Sequence, residues 1–263
     1  MKKNLLTLTF IWIYFFQLSL AAATEIQVDQ GKFLVGEKMI YSIKYMGLSI
    51  GKAEAFIKEI ATVENRKAYH VIVRVKSNPI VDLIYKVRGE HHSYLDVEKL
   101  HSLRYEVWQM GNSEPDYVIH FDHAKKEAQY FFSEKKKTRT FEMFPDSQDQ
   151  LSLVYVFRTL PLQPNKKYIL PLHADSHQWS IQIKTGASSE IKYKNEGLLQ
   201  VLEIEPKLDF INALVKKGQV KGRMTLDNRR IPLDMSVRVP YMGSLKTELI
   251  HYSTDSTSEE SFS

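Results

Sequence analysis

Apolar and polar residues alternate one by one along stretch after stretch of this chain. Tyr41, Ile43 and Tyr45 alternate with Ser42 and Lys44, and Val71, Val73 and Val75 with Ile72 and Arg74. Tyr117, Ile119 and Phe121 alternate with Val118 and His120. The same holds for Trp179, Ile181 and Ile183 against Ser180 and Gln182, and for Met235, Val237 and Val239 against Ser236 and Arg238. Successive side chains of a strand point to opposite faces, so a period of two describes half-buried antiparallel strands. Turn residues punctuate them at Gly47, Glu64-Asn65, Gly111-Asn112, Asp122-His123, Pro164-Asn165, Asn195-Glu196-Gly197, Asp227-Asn228 and Gly243. The expectation is an all-β, mainly antiparallel fold, a large sandwich or half-open barrel of about a dozen strands. A membrane barrel would need the alternate positions to face lipid, yet Lys44, Arg74, Lys76, His120 and Lys184 occupy them.

Two stretches break the alternation. Asn78-Pro79 reads as the cap and first residue of a helical turn. Between Asp146 and Leu162, Leu151, Val154, Tyr155 and Arg158 recur at spacings of three and four, while Leu153, Val156, Phe157 and Leu160 form a second apolar stripe. Asp146, Ser147 or Asp149 is placed to cap this helix, and Pro161 ends it. A helix apolar on most of its circumference is buried, so residues 149–160 are expected as one central helix against the sheet or in its mouth.

The termini address the compartment. Lys2-Lys3, the apolar run Leu5–Leu20 and Ala21-Ala22-Ala23 make a secretory signal peptide over residues 1–23, with cleavage expected after Ala23. That apolar run is shorter than the ~20 residues of a bilayer span, so no integral span is expected after cleavage. No cysteine follows it to carry a lipid, and the chain contains none at all, so packing must stabilise the fold without disulfides. The expected location is the periplasm, as a soluble protein. Residues 24–36 read as a lead-in, 37–252 as a single β-rich domain, and the polar, acidic 253–263 as a disordered tail. Loss of Lys2 and Lys3 lowers the formal net charge from +5 to +3, with the remaining positives scattered, so no nucleic-acid partner is expected.

Gly47-Leu48-Ser49-Ile50-Gly51 matches the G-x-S-x-G pattern of a hydrolase nucleophile elbow. Ala53, Ala55 and Ile57 alternate with Glu54, Phe56 and Lys58 directly afterwards, and Gly47 opens a good hairpin turn. A hairpin is therefore expected, with Gly47 and Gly51 giving backbone freedom around Ser49; an uncharacterised hydrolase is kept as a second alternative. Among nine histidines, His91 and His92 must face opposite sides of a strand, while His120/His123 and His173/His177 flank turns. Without cysteine or an H-E-x-x-H helix these read as solvent-exposed loop histidines, and no metal or cofactor is assigned. Arg88 and Arg158 each follow a buried stretch and call for a carboxylate partner, with Asp149 and Glu90 the candidates.

Four blocks of the chain, in order, resemble domain-of-unknown-function family 3108 of exported bacterial proteins. They are Gly36–Ile43 with Gly47 and Gly51–Glu54; Lys86-Val87-Arg88 with Ser93–Asp96; Asp149–Leu162; and Lys221–Thr225 with Asp227–Leu233. Gln150 stands where such proteins have proline after the aspartate. The resemblance implies an extracytoplasmic β-rich domain crossed by a helix, and no activity or catalytic residue.

The resulting expectation is a non-enzymatic, envelope-associated periplasmic protein that binds a lipid or glycan in a β-sheet cavity. Arg88, Asp149 and Arg158 are its candidate polar residues and Trp108, Tyr155 and Trp179 its candidate aromatic ones, with Tyr41 and Tyr45 as further liners. The alternative is an interaction scaffold for another envelope protein, with a filled core.

Overall fold

The computed structural model describes residues 33–84, 86–110, 114–193, 197–207, 219–239 and 243–254. The signal segment, most of the lead-in and most of the tail, along with the turns at Gly111-Asn112 and Asn195-Glu196, lie outside these residues. The first half of the sheet comprises β1 (Lys38–Tyr45), β2 (Leu48–Val63), β3 (Arg66–Ser77), β4 (Arg88–Asp96), β5 (Ser102–Gln109), β6 (Tyr117–Asp122), β7 (Glu127–Phe132) and β8 (Lys137–Glu142). The second comprises β9 (Lys167–Ala174), β10 (His177–Lys192), β11 (Leu198–Pro206), β12 (Gln219–Thr225), β13 (Pro232–Val239) and β14 (Gly243–Ser253).

These 14 strands form one antiparallel sheet in the order β8 through β1, then β14 through β9. Each neighbouring pair is consecutive in the chain except β1 and β14, so two meanders meet at that seam. One continuous sheet decides between the two expected architectures: this is the half-open barrel, not a sandwich. Six pairings carry a register shift. Such bulges bend and twist a strand locally, which is how so wide a sheet curls.

Alternation directs the tight turns. Tyr45 pairs with Leu48, leaving Met46 and Gly47 as a two-residue loop with both φ positive. Glu64-Asn65 and Asp175-Ser176 repeat the arrangement between β2 and β3 and between β9 and β10. Positive φ at both loop positions is what a type I′ hairpin demands, because its twist matches that of the strands.

Helix α1 (Pro79–Asp82) is the expected helical turn, with the Asn78 side chain accepting from the Val81 N–H at 2.9 Å. Helix α2 (Ser152–Thr159) lies within the connection from β8 to β9, which are the two edges of the sheet. The segment ahead of α2 pairs briefly with β9: Gln148 donates to the Pro171 carbonyl and accepts from the His173 N–H. On the other side Ser102 N–H reaches the Ser147 carbonyl. The connection thus laces the two half-sheets together where their edge strands do not pair.

Every α2 residue is buried except Val154, as its apolar circumference requires. Leu153, Tyr155, Phe157 and Leu160 share one core with Met39, Ile57 and Leu95 of the first half and Leu172, Ile183 and Leu202 of the second. A second cluster around Tyr105, Phe121 and Tyr130 packs against Leu151. Phe33, in the segment read as lead-in, is buried in the main core with its ring edge-on to Tyr69 and Tyr155.

Candidate functional site

A cavity of about 220 Å³ lies between α2 and the second half-sheet. Leu153, Val154 and Phe157 of the helix form one wall. Leu172, Ile181, Ile183 and Ile204 of β9–β11, with Met224, Pro232 and Met235 beyond, form the other. Gln150 is the polar member of the lining. Val154 is 40% exposed, so the cavity opens to solvent at that turn of the helix. Branched and thioether side chains of alternate strand positions build it, a consequence of the same period of two that builds the sheet.

Two buried polar groups hold α2 over this cavity. Asp149 Oδ1 accepts from the Leu151 and Ser152 N–H groups at 2.8 and 2.9 Å. In return Ser152 Oγ accepts from the Asp149 N–H, the reciprocal pattern of a capping box. Asp149 Oδ2 accepts from the hydroxyls of Ser93 and Ser102 on β4 and β5. Burial pushes this carboxyl above the ordinary carboxylate range despite those bonds. Asp146 and Ser147 do not cap the helix. Asp146 is exposed and meets His101, and Ser147 donates to the Phe144 carbonyl.

Arg158, 2% exposed, is met by Glu37, 3% exposed, through two bonds of 2.8 and 2.6 Å. Its remaining donors reach the carbonyls of Arg229 and Arg230 in the β12–β13 turn. Its guanidinium lies over the rings of Phe33 and Tyr155. The expected partners, Asp149 and Glu90, are therefore corrected for Arg158. They are corrected for Arg88 as well, which binds the Asp82 carboxylate and the Ser77 carbonyl and so ties α1 to β4.

The aromatic candidates lie outside the cavity. Tyr155 is buried in the main core, its hydroxyl without a partner among the described residues. Trp179 donates to the Ala174 carbonyl at the β9–β10 turn. Tyr41 donates to the Pro232 carbonyl, and Tyr45 is exposed beside the β1–β2 turn. Trp108 donates to Glu106 on the opposite face of the sheet. That face carries a chain of ion pairs and hydrogen bonds running Lys38, Glu54, Arg74, Glu90, His92, His70 and Glu59. Within it the His92 ring and the Arg74 guanidinium hold the Glu90 carboxyl down at about 2.

Ser49 is an exposed residue of β2, its hydroxyl 3.5 Å from that of Ser42. It stands in a strand, not on the strand-to-helix turn that an elbow requires. Gly51 is required for a reason other than backbone freedom: a Cβ there would lie 2.4 Å from the Lys76 carbonyl oxygen of β3.

The histidines depart from the sequence expectation. His91 and His92 do face opposite sides, toward Tyr105 and toward His70. His173, however, is 1% exposed among Phe121, Tyr130 and Phe141, with neither ring nitrogen partnered among the described residues. Burial pulls it down to about 4. His123 is likewise pulled down to about 4 by burial and stacks on buried His101. Reading these residues as exposed loop histidines fails for His173 because it belongs to β9 and packs on aromatic rings of β6, β7 and β8, and for His123 because its ring stacks on His101.

Comparison with solved structures places this fold beside a β-barrel-like protein of domain of unknown function DUF1849 from Brucella abortus, at 11% identity and a TM-score of 0.53. The match covers 84% of this chain and 98% of that one, and shows a shared fold. Looser similarity extends to two further chains. One is described as exported, with a YmcC-like fold, from Bacteroides fragilis (7% identity, TM-score 0.35, 83% and 95% covered). The other is described as a lipoprotein, from Parabacteroides distasonis (10% identity, TM-score 0.34, 84% and 98% covered). No curated protein matches the chain. The profile of DUF3108, described as a protein of unknown function, matches residues 40–250. This chain, with its crossing helix and all of its sheet but the outer ends of β1 and β14 inside that span, belongs to the DUF3108 family.

Proposed function

We propose that this protein is a non-enzymatic component of the bacterial cell envelope that takes an apolar ligand group beneath α2. The observation that carries the reading is the cavity itself. Eleven of its twelve lining residues are apolar, and it opens where Val154 is exposed. An apolar cavity of ~150 Å³ stays dry and binds benzene, so one of about 220 Å³ has room for an aromatic ring or a run of alkyl chain. It does not have room for a whole lipid. A glycan would leave its hydroxyls unpaired against such walls, which favours an acyl chain. The export signal read in residues 1–23 supports a periplasmic location, where acyl chains are at hand. Among the described residues, no helix is long and apolar enough to cross a membrane.

The test is lipid extraction and native mass spectrometry of protein purified from its own periplasm, paired with titration of a fluorescent fatty acid. The double variant I183F/M235F fills the cavity and is expected to abolish binding while the protein remains folded. Fatty-acid binding undiminished in that variant would remove the cavity as the site. A stoichiometric co-purifying protein without lipid would favour the scaffold reading instead.

A further inference from the structure

Three turns meet at the end of the first half-sheet. His101 lies between β4 and β5, His123 follows β6, and Asp146 belongs to the crossing segment ahead of Gln148. We propose that His101, His123 and Asp146 bind a divalent transition-metal ion of the zinc class, fastening the crossing segment to these turns.

One potential ligand atom from each residue lies within 4.8 Å of the other two. The two imidazoles stack at 3.6 Å with an interplanar angle of 4°. His123 Nε2 lies 2.7 Å from the Ser102 carbonyl and so carries the proton it donates there. Its Nδ1 is then a bare lone pair, and it is buried with no partner among the described residues. His101 Nε2 is also buried without one, while His101 Nδ1 lies 3.0 Å from Asp146 Oδ1. Buried polar atoms are nearly always paired, so two orphans in one stacked pair call for a missing partner. Histidines that ligate metals characteristically fix their second nitrogen on a carbonyl or carboxylate, as His123 does on Ser102.

The electrostatic setting is compatible. The nearby Arg66 charge is met by Asp96 at 2.8 Å. Two imidazoles and a carboxylate suit zinc, copper(II) or nickel(II), whereas calcium and magnesium prefer oxygen throughout. Three protein ligands leave a coordination position for water. Closing the site requires the rings to tilt apart and Asp146, the exposed member, to swing onto the ion. Asp146 is joined through Gln148 to the strand-like pairing with β9, so the ion would lock the connection that carries α2.

The test uses tag-free protein stripped with a chelator. It is titrated with Zn²⁺ alone by calorimetry, and with Co²⁺ to read coordination from its visible bands. The expected result is one ion per chain, with affinity at least about tenfold weaker in D146A and in H123A. H177A, at an exposed histidine, should leave it unchanged. D146A removes an exposed side chain and its contact to His101 and places alanine at a φ of 54°, at the modest cost of one left-handed residue, so it decides the matter even if H123A fails to fold. Absence of Zn²⁺ uptake by the folded parent overturns the proposal. So does uptake that D146A leaves unaltered, which would mark adventitious surface binding.

Discussion

Arg158 of the crossing helix and Glu37 at the head of β1 form a two-pronged ion pair, sealed from solvent and 121 residues apart in the chain. Removing one partner leaves the other charge buried alone, which costs about 3–5 kcal/mol. R158M and E37Q are each expected to lose about that much in urea unfolding. The double variant R158M/E37M, which replaces both charges by apolar groups of similar reach, should recover most of the loss. A double variant no more stable than R158M would show that the carbonyl contacts to Arg229 and Arg230 dominate.

Asp149 serves the helix and the sheet at once. D149A removes a cap worth about 1–2 kcal/mol and strands the Ser93 and Ser102 hydroxyls, for a total loss of about 2–4 kcal/mol. D149N retains an acceptor for the Leu151 and Ser152 N–H groups and should lose less. Equal losses in the two variants would show that the carboxylate charge, not the acceptor geometry, matters.

His173 makes stability depend on pH. Its folded value, about 4, lies below the ordinary 6.5, so between those pH values the unfolded chain holds the extra proton. Stability is therefore full above pH 6.5 and falls as the pH drops toward 4, by up to about 3 kcal/mol from this residue. Asp149 acts in the opposite sense, since its raised carboxyl disfavours the folded state as pH rises above the unfolded value. H173F isolates the histidine: its unfolding free energy measured between pH 7 and 4.5 should fall less than that of the parent. Superimposable pH profiles would overturn the assignment.

At the β1–β2 hairpin, G51A is expected to lose about 1–3 kcal/mol because its Cβ collides with the Lys76 carbonyl. S49A should change stability by no more than about 0.5 kcal/mol and leave any cellular phenotype intact. Full rescue of a deletion strain by the S49A protein would close the hydrolase reading.

What could be read in the sequence was whatever a local period encodes. Alternation at Val71–Val75 or Trp179–Ile183 marks strands because one face of each packs and the other is left polar. Leu151–Leu160 shows a helix because its apolar residues surround it and Pro161 stops it. Partnerships set by topology were not legible. Glu37 reaches Arg158 only because β1 pairs with β14 and the helix crosses between the half-sheets. His101, His123 and Asp146 meet because three separate turns gather at one end, whereas proximity in the chain pairs His120 with His123 and His173 with His177. The candidate aromatics Tyr155, Trp108 and Trp179 went elsewhere, leaving helix residues such as Phe157, with isoleucine and methionine from the strands, to line the cavity. That bias follows from aromatics being the natural fillers of large core spaces.

The seam between β1 and β14 has a mechanical consequence. Lys38 pairs with Ser253 at one end of it and Tyr45 with Leu245 at the other, so the chain enters and leaves the sheet at the same end. Tension applied through the two chain ends would therefore load these hydrogen bonds one after another, as in a zipper, instead of sharing them. Glu37 sits at that end, gripped by Arg158 and by the Tyr252 hydroxyl. The buried ion pair is thus the first strong contact to bear the pull, and the crossing helix is the clasp that keeps the sheet from peeling open.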